Sequence, residues 1–261
     1  MDTNDIITNL EPRDAFFGGR VNGFKLFRDA QQDETIEYVD FTSLYPYVNK
    51  TKVYPIGHPT IIRENFETIS NYFGLIKCKV LAPRNLYLPI LPARIKDKLF
   101  FPLCKQCVVQ NSSVCTHSEN ERAFWGTFTT VEVLEAIEKG YKVIEIFEIW
   151  HFENTSSDLF SDYVNYFLRI KQESSGIPSR IQTPEDRQKY VADYYENEGI
   201  LLRHDKIDYN PGLRALAKLC LNSLWGNFCQ KDNRLNTEFI NDPLNFYRRL
   251  NGADIEMIFA S

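Results

Sequence analysis

At 261 residues, with 43% hydrophobic and 25% charged side chains, the chain has the composition of one large or two modest globular domains, which excludes a disordered tail or a collagen-like fibre. No apolar run approaches the ~18 residues of a membrane span, and residues 1–12 carry Asp2, Asp5 and Glu11 instead of an apolar leader core, so neither a membrane segment nor a signal peptide is expected. Thirty Lys and Arg against 35 Asp and Glu leave a net charge of −5, which excludes a wholesale basic coat but not a local basic groove.

In chain order, Phe16-Phe17-Gly18-Gly19 reads as a turn, because paired glycines relax the backbone. A strand is expected over 35–41 (TIEYVDF), running into a boundary at Tyr45-Pro46, and a second over 72–81 (YFGLIKCKVL). Residues 77–105 hold Lys77, Lys79, Arg84, Arg94, Lys96, Lys98 and Lys105 against the single acid Asp97, with prolines that favour an extended or hairpin form. Two readings stand for this segment: a sheet edge protected by lysines, or a contact with a phosphate backbone.

Thr129-Thr130-Val131-Glu132 is a capping box that opens a helix ending at Gly140, and 141–152 (YKVIEIFEIWHF) follows as a strand. Apolar residues Phe160, Tyr163, Val164, Phe167 and Leu168 recur at helical spacing and predict a helix over about 158–171, stopped by Ser174-Ser175-Gly176. Thr183-Pro184 starts a polar helix ending near Gly199, and Asn210-Pro211 starts a last helix running to about Phe228. On that helix Arg214, Lys218, Asn222 and Trp225 share one face, while Leu213, Leu216, Cys220 and Leu224 form an apolar one.

Six cysteines are too few for a disulfide scaffold in a chain of this length, and an intracellular setting (cytosol, nucleus or virus factory) is expected. Cys78, Cys220 and Cys229 stand alone and read as small buried hydrophobes. Cys104-x2-Cys107-x7-Cys115-x-His117 supplies the donor set of a tetrahedral Zn2+ site, with free thiols in a loop as the alternative. His151 is a spare ligand or a packed side chain; His58 and His204 have no partner spacing.

Two motifs carry the chemistry. Asp40-Phe41-Thr42-Ser43-Leu44-Tyr45-Pro46 sets a carboxylate at the end of an expected strand, where one Asp and a triphosphate suffice for Mg2+, followed by a turn whose amides suit phosphate oxygens. Taken by itself, Asp40 reads as the cap of a turn, with Tyr45 in the core. Lys218-Leu219-Cys220-Leu221-Asn222-Ser223-Leu224-Trp225-Gly226 offers a cation and a flat ring on one helix, or an ordinary amphipathic surface helix.

In this order, D-x-x-S-L-Y-P and then K-x-x-x-N-S-x-W-G resemble motifs A and B of the family B DNA polymerases, in particular the protein-primed organellar and viral branch that includes Polinton/Maverick-like enzymes. Phe16 to Gly19 resembles the segment joining exonuclease and polymerase domains, and 159–171 resembles the first fingers helix. The resemblance implies Asp40 as catalytic metal ligand, with Phe41, Thr42, Ser43 and Leu44 at the triphosphate and Tyr45 under the sugar. It implies Lys171 and Lys218 at the phosphates, Asn222 and Trp225 at the nascent base pair, and Phe16, Gly18 and Gly19 at the template.

The fold implied is α+β: 1–75 as palm with motif A, 76–155 as an inserted subdomain with the cysteine group, 156–230 as helical fingers and 231–261 as a return toward the palm. The activity implied is nucleotidyl transfer from a dNTP to a primer 3′-hydroxyl with two Mg2+ ions. The partners implied are template–primer DNA, dNTP and a terminal protein, without a membrane. Asn227 stands where relatives carry Lys, and no D-T-D motif follows residue 228, so the second metal-binding aspartate of the family is missing from this sequence. The chain is therefore expected to be an internal piece, inactive by itself. A non-catalytic nucleic-acid-binding remnant and one chain of a split polymerase are the alternatives.

Overall fold

The computed structural model describes residues 8–18, 23, 25–41, 43–96, 98–179, 181–228, 230 and 239–251. It divides into two compact units, Met1–Trp225 and Gly226–Ser261. The first combines helices and antiparallel sheet, the α+β class expected.

The expected strand over 35–41 is not there: these residues form no regular element, and Asp40 does not end a strand. A strand is held by ladder partners, and among the described residues none pairs with this stretch, so Ile36, Tyr38, Val39 and Phe41 all stand exposed. The first helix, α1 (Leu44–Thr51), begins inside the motif. Pro46, expected at a boundary, is instead buried in the first turn, where a helix needs no N–H.

Strands β1 (Tyr54–Pro55), β2 (Thr60–Ile62) and β3 (Gly74–Leu81) follow, then the hairpin β4 (Ala93–Ile95) and β5 (Lys98–Phe100), in keeping with the hairpin reading of the basic segment. Short helices α2 (Lys105–Gln110) and α3 (Glu119–Arg122) lead into β6 (Phe124–Thr129), α4 (Thr130–Glu138), β7 (Lys142–His151) and β8 (Thr155–Ser156). The main sheet is antiparallel in the order β2-β7-β3-β6. Its core joins Ile76, Cys78, Val80, Phe124, Phe128 and Ile149 to Val133 and Ala136 of α4, while Leu103, Val108 and Val109 lean on it from the cysteine segment. The capping box forms as expected, Thr129 Oγ1 accepting from Glu132 N at 3.2 Å.

Helix α5 (Ser161–Glu173) starts later than expected, because the Ser156 hydroxyl bonds Asp158 Oδ1 and holds 156–158 in a local turn that competes with helix. Helices α6 (Pro184–Glu198) and α7 (Pro211–Phe228) take the bounds their Thr-Pro and Asn-Pro starts predict. On α7 the expected apolar face is corrected: Leu213 and Leu216 are 43% and 54% exposed, whereas Ala217 and Leu221 are buried, with Cys220 and Leu224 half-buried beside them. Helix α8 (Pro243–Leu250) belongs to the second unit and is capped by Asp242, which accepts from Leu244 N at 3.2 Å.

Candidate nucleotide site and metal centre

Ser43 is the N-cap of α1 in a left-handed conformation (φ 57°, ψ 39°), and its side chain does not cap the helix. Its hydroxyl instead accepts a hydrogen bond from Lys171 Nζ, in the last turn of α5, at 3.1 Å. This contact joins residues 128 positions apart. Burial holds Lys171 below the ordinary lysine range, and the neighbouring charges of Arg214 and Lys218 push the same way. A half-buried ammonium at the N-terminus of α1 therefore feels a guanidinium and a second ammonium, an arrangement that suits an anion with several charges.

Of the residues the sequence singled out, Ser43, Lys171 and Lys218 are thus brought together. Asp40, Phe41, Leu44, Tyr45 and Asn222 are exposed to solvent, so Tyr45 is not a core residue. Thr42, Gly19 and Cys229 lie outside the described residues, as does the side chain of Trp225. Arg214 was legible only as a member of a helix face; its place four residues before Lys218, one turn away, is the signal for a shared role. Two further residues carried no sequence signal. Glu173 is 3% exposed and accepts from Arg203 Nη2 at 2.7 Å, Arg203 Nε at 3.2 Å and Arg203 N at 2.8 Å.

The sheet-edge reading of the basic segment fails for its first two lysines. Lys77 and Lys79 sit on β3, an interior strand of the sheet rather than an edge. Several of its cations are committed within the protein: Lys77 Nζ donates to Thr8 O at 2.7 Å, Arg84 Nη2 to His117 O at 3.1 Å and Lys96 Nζ to Val109 O at 3.1 Å. Arg94 lies over the Phe17 ring at 5.3 Å, beside a cleft of about 350 Å³ lined by Phe17, Gly18, Leu88, Ile90, Phe101 and Glu132. Phe16 is exposed next to it.

Cys104, Cys107, Cys115 and His117 converge, all four donor atoms lying within 4.8 Å of one another; among the described residues no other group of three or more Cys, His, Asp or Glu does so. His117 Nδ1 is 3.5, 3.4 and 3.9 Å from the sulfurs of Cys104, Cys107 and Cys115. His117 Nε2 meets Gln110 Oε1 at 3.1 Å, which fixes the ring, and Cys107 N donates to Cys104 Sγ at 3.4 Å. Desolvation, then hydrogen bonding to Cys104 and Cys115, pushes the Cys107 thiol up to about 12, while hydrogen bonds involving His117 hold Cys115 down at about 6. His151 is no spare ligand: its Nδ1 accepts from Phe73 N at 3.0 Å and its ring stands edge-on to Tyr72. Cys78 is fully buried, as a small hydrophobe should be.

Comparison with known proteins bears on the same residues. The family model for DNA polymerase type B, organellar and viral, matches residues 10–182, which include Asp40, Ser43, Lys171 and the cysteine group. A probable DNA polymerase of Neurospora intermedia is 27% identical over 169 residues, covering 61% of this chain and 15% of that protein. One of Agaricus bitorquis is 25% identical over 224 residues, covering 84% of this chain and 21% of its own length. The chain thus spans about a fifth or less of the curated relatives it matches. Among solved structures, the phi29 DNA polymerase in an orthorhombic crystal form has 18% identity and a TM-score of 0.45 over 74% of this chain and 26% of its own. With two thirds of its length covered by the family model, the chain belongs to the type B DNA polymerases of organelles and viruses.

Proposed function

We propose that the first unit carries the triphosphate-binding part of a DNA-directed DNA polymerase, which transfers a nucleotidyl group from a dNTP to a primer 3′-hydroxyl. The observation that carries this reading is the Lys171–Ser43 hydrogen bond at 3.1 Å, which ties the D-x-x-S-L-Y-P motif to α5. Lys171, Arg214 and Lys218 neutralise the phosphates, and the amides at the start of α1 add neutral donors to the same anion. Asn222 and Trp225 line the base-pair pocket, Tyr45 underlies the sugar, and Phe16, Gly18 and Gly19 face the template.

Asp40 supplies one exposed carboxylate and, among the described residues, joins no cluster of three metal-capable side chains, which suits Mg2+ held largely by triphosphate oxygens. Magnesium bound there supplies charge stabilisation for the attacking and leaving oxygens. The residues of this chain do the remaining work: they grip the phosphates and hold the sugar in place.

The test is calorimetric titration of the chain with Mg–dATP against deoxyadenosine. The triphosphate is expected to bind and the nucleoside not, with Lys218→Ala weakening the triphosphate by roughly tenfold or more. Equal binding of both compounds overturns the reading. In primer extension by any polymerase assembly that includes this chain, Asp40→Ala is expected to abolish synthesis.

We further propose that the cysteine group holds a structural Zn2+. Zn–S distances of about 2.3 Å and Zn–N distances of about 2.0 Å set S and N ligands of a tetrahedron roughly 3.5 Å apart. The separations of 3.4 to 3.9 Å around His117 Nδ1 fit that figure. Contact of this segment with DNA and with a terminal protein follows from the family resemblance, and cross-linking from Arg84 and Lys98 tests it. Cobalt substitution giving no tetrahedral d–d spectrum would count against the metal.

A further inference from the structure

Helices α5 and α7 each bring cations to the proposed phosphate site, and like charges at close range repel. Something must hold the two helices at that spacing when no anion is bound. The chain between α6 and α7 does so by folding back on the C-terminal end of α5. Asp208 N donates to Glu173 O at 3.1 Å and Asn210 N to Ser174 O at 3.0 Å, while Ser175 and Tyr209 form an antiparallel bridge. Gly176 makes the approach close: it sits at φ +71°, and a Cβ there would lie 3.3 Å from Tyr209 Cβ. Arg214 Nε then donates to Ser175 Oγ at 3.1 Å, and that hydroxyl donates to Lys171 O at 2.7 Å. Lys171 and Arg214 are thus linked through one serine.

At the centre of this junction lies the buried Glu173 carboxylate, two residues after Lys171, held by three donors of Arg203. Arg203 is itself raised above its usual range by that carboxylate. A carboxylate taken out of water needs its charge and its lone pairs matched, and Arg203 does both in fork geometry. Ile200 and Leu202 are buried just before it, so the segment is anchored on both its apolar and its ionic side.

We propose that the Glu173–Arg203 pair is a positioning device for nucleotide binding, a clamp that fixes the end of α5 against the start of α7 and so sets the spacing of Lys171, Arg214 and Lys218. Neither residue touches the phosphates; they act through the cations. The proposal rests on the triphosphate reading for its function, but its geometry is tested separately.

Two readouts are taken on the chain and on Glu173→Gln: Mg–dATP affinity, and the titration of Lys171 followed by NMR of ε-13C-labelled lysine, with Lys171→Arg to assign the signal. The groups facing Lys171 in that titration are Arg214, Lys218 and the Ser43 hydroxyl. In Glu173→Gln the clamp loses its charge but keeps its shape, and Lys171 is expected to titrate closer to an ordinary lysine as Arg214 and Lys218 move away. Affinity for Mg–dATP is expected to fall on the order of tenfold. Arg203→Lys, which keeps the charge without the fork, should fall between the two. Should Glu173→Gln fail to fold, Arg203→Gln, on the solvent side of the pair, carries the same test. An unchanged Lys171 titration together with unchanged affinity overturns the clamp. If the unmodified chain binds no triphosphate, the polymerase reading fails, and the Lys171 titration alone judges the clamp.

Discussion

Two polar clusters in this chain face opposite electrostatic problems. The group formed by Cys104, Cys107, Cys115 and His117 gathers soft donors, with Arg84 at its margin. The group formed by Lys171, Arg214 and Lys218 gathers cations, with Lys171 on the Ser43 hydroxyl. The first sits on a sheet core through Leu103, Val108 and Val109, so a bound metal would lock local structure already half in place. The second sits between helices and is held by an ion pair of which only Glu173 is buried, so a bound anion would relieve a repulsion that the fold already carries. One centre is therefore expected to stabilise the protein, and the other to recognise a ligand.

Metal removal gives the largest expected effect. Structural zinc sites are worth on the order of 10 kcal/mol of apparent binding energy, so Cys107→Ser or chelation should strip the metal and expose the amides of 103–117 to hydrogen exchange. The sheet core should stay protected, and a chain purified without metal but with these amides protected would break the contrast. Next, Lys171→Ala and Lys218→Ala should each weaken Mg–dATP on the order of 10- to 100-fold, and Lys218→Ala, at an exposed position, should move the melting temperature little, because surface charge changes rarely alter stability by more than about 0.5 kcal/mol. Gln110→Ala, which frees His117 Nε2, should weaken zinc by roughly tenfold, read by competition with a chelating dye.

The pH dependence sharpens the second cluster. Lys171 is depressed, so without an anion the folded chain disfavours its charged form and binds fewer protons than the unfolded chain there. Its contribution to stability therefore rises as pH rises through the folded pKa, and the rise is complete above the unfolded value. A bound triphosphate reverses the preference and draws a proton onto Lys171. Calorimetry at alkaline pH in two buffers of different ionisation enthalpy should read net proton uptake, and none is expected in Lys171→Ala. Smallest is the control Thr129→Ala, which removes a helix cap for about 1 kcal/mol and should leave both ligands untouched.

Local signals told the truth where the structure is local. The Thr129–Glu132 box, the Thr183-Pro184 and Asn210-Pro211 starts and the Gly199 stop all lie where the sequence put them, because a cap or a proline acts within one turn. The cysteine spacing was legible for the same reason. The strand over 35–41 failed because β structure depends on a partner that propensity does not supply. The apolar face of α7 failed because periodicity counts leucines, whereas burial falls on the stripe of Ala217 and Leu221. Glu173 and Arg203, thirty residues apart, had no pattern to announce them, since a long-range ion pair is a tertiary fact.

Pro46 has a consequence for how the start of α1 reads a ligand. Ser43, Leu44 and Tyr45 each keep an amide at the helix entrance, and Pro46, lacking one, removes the donor that the first turn would otherwise add. The entrance therefore offers one amide fewer to oxygen than a first turn without proline. A ligand with more acceptors than these amides can serve must turn its surplus toward the lysines and arginine, which gives the site a handedness that charge by itself would not.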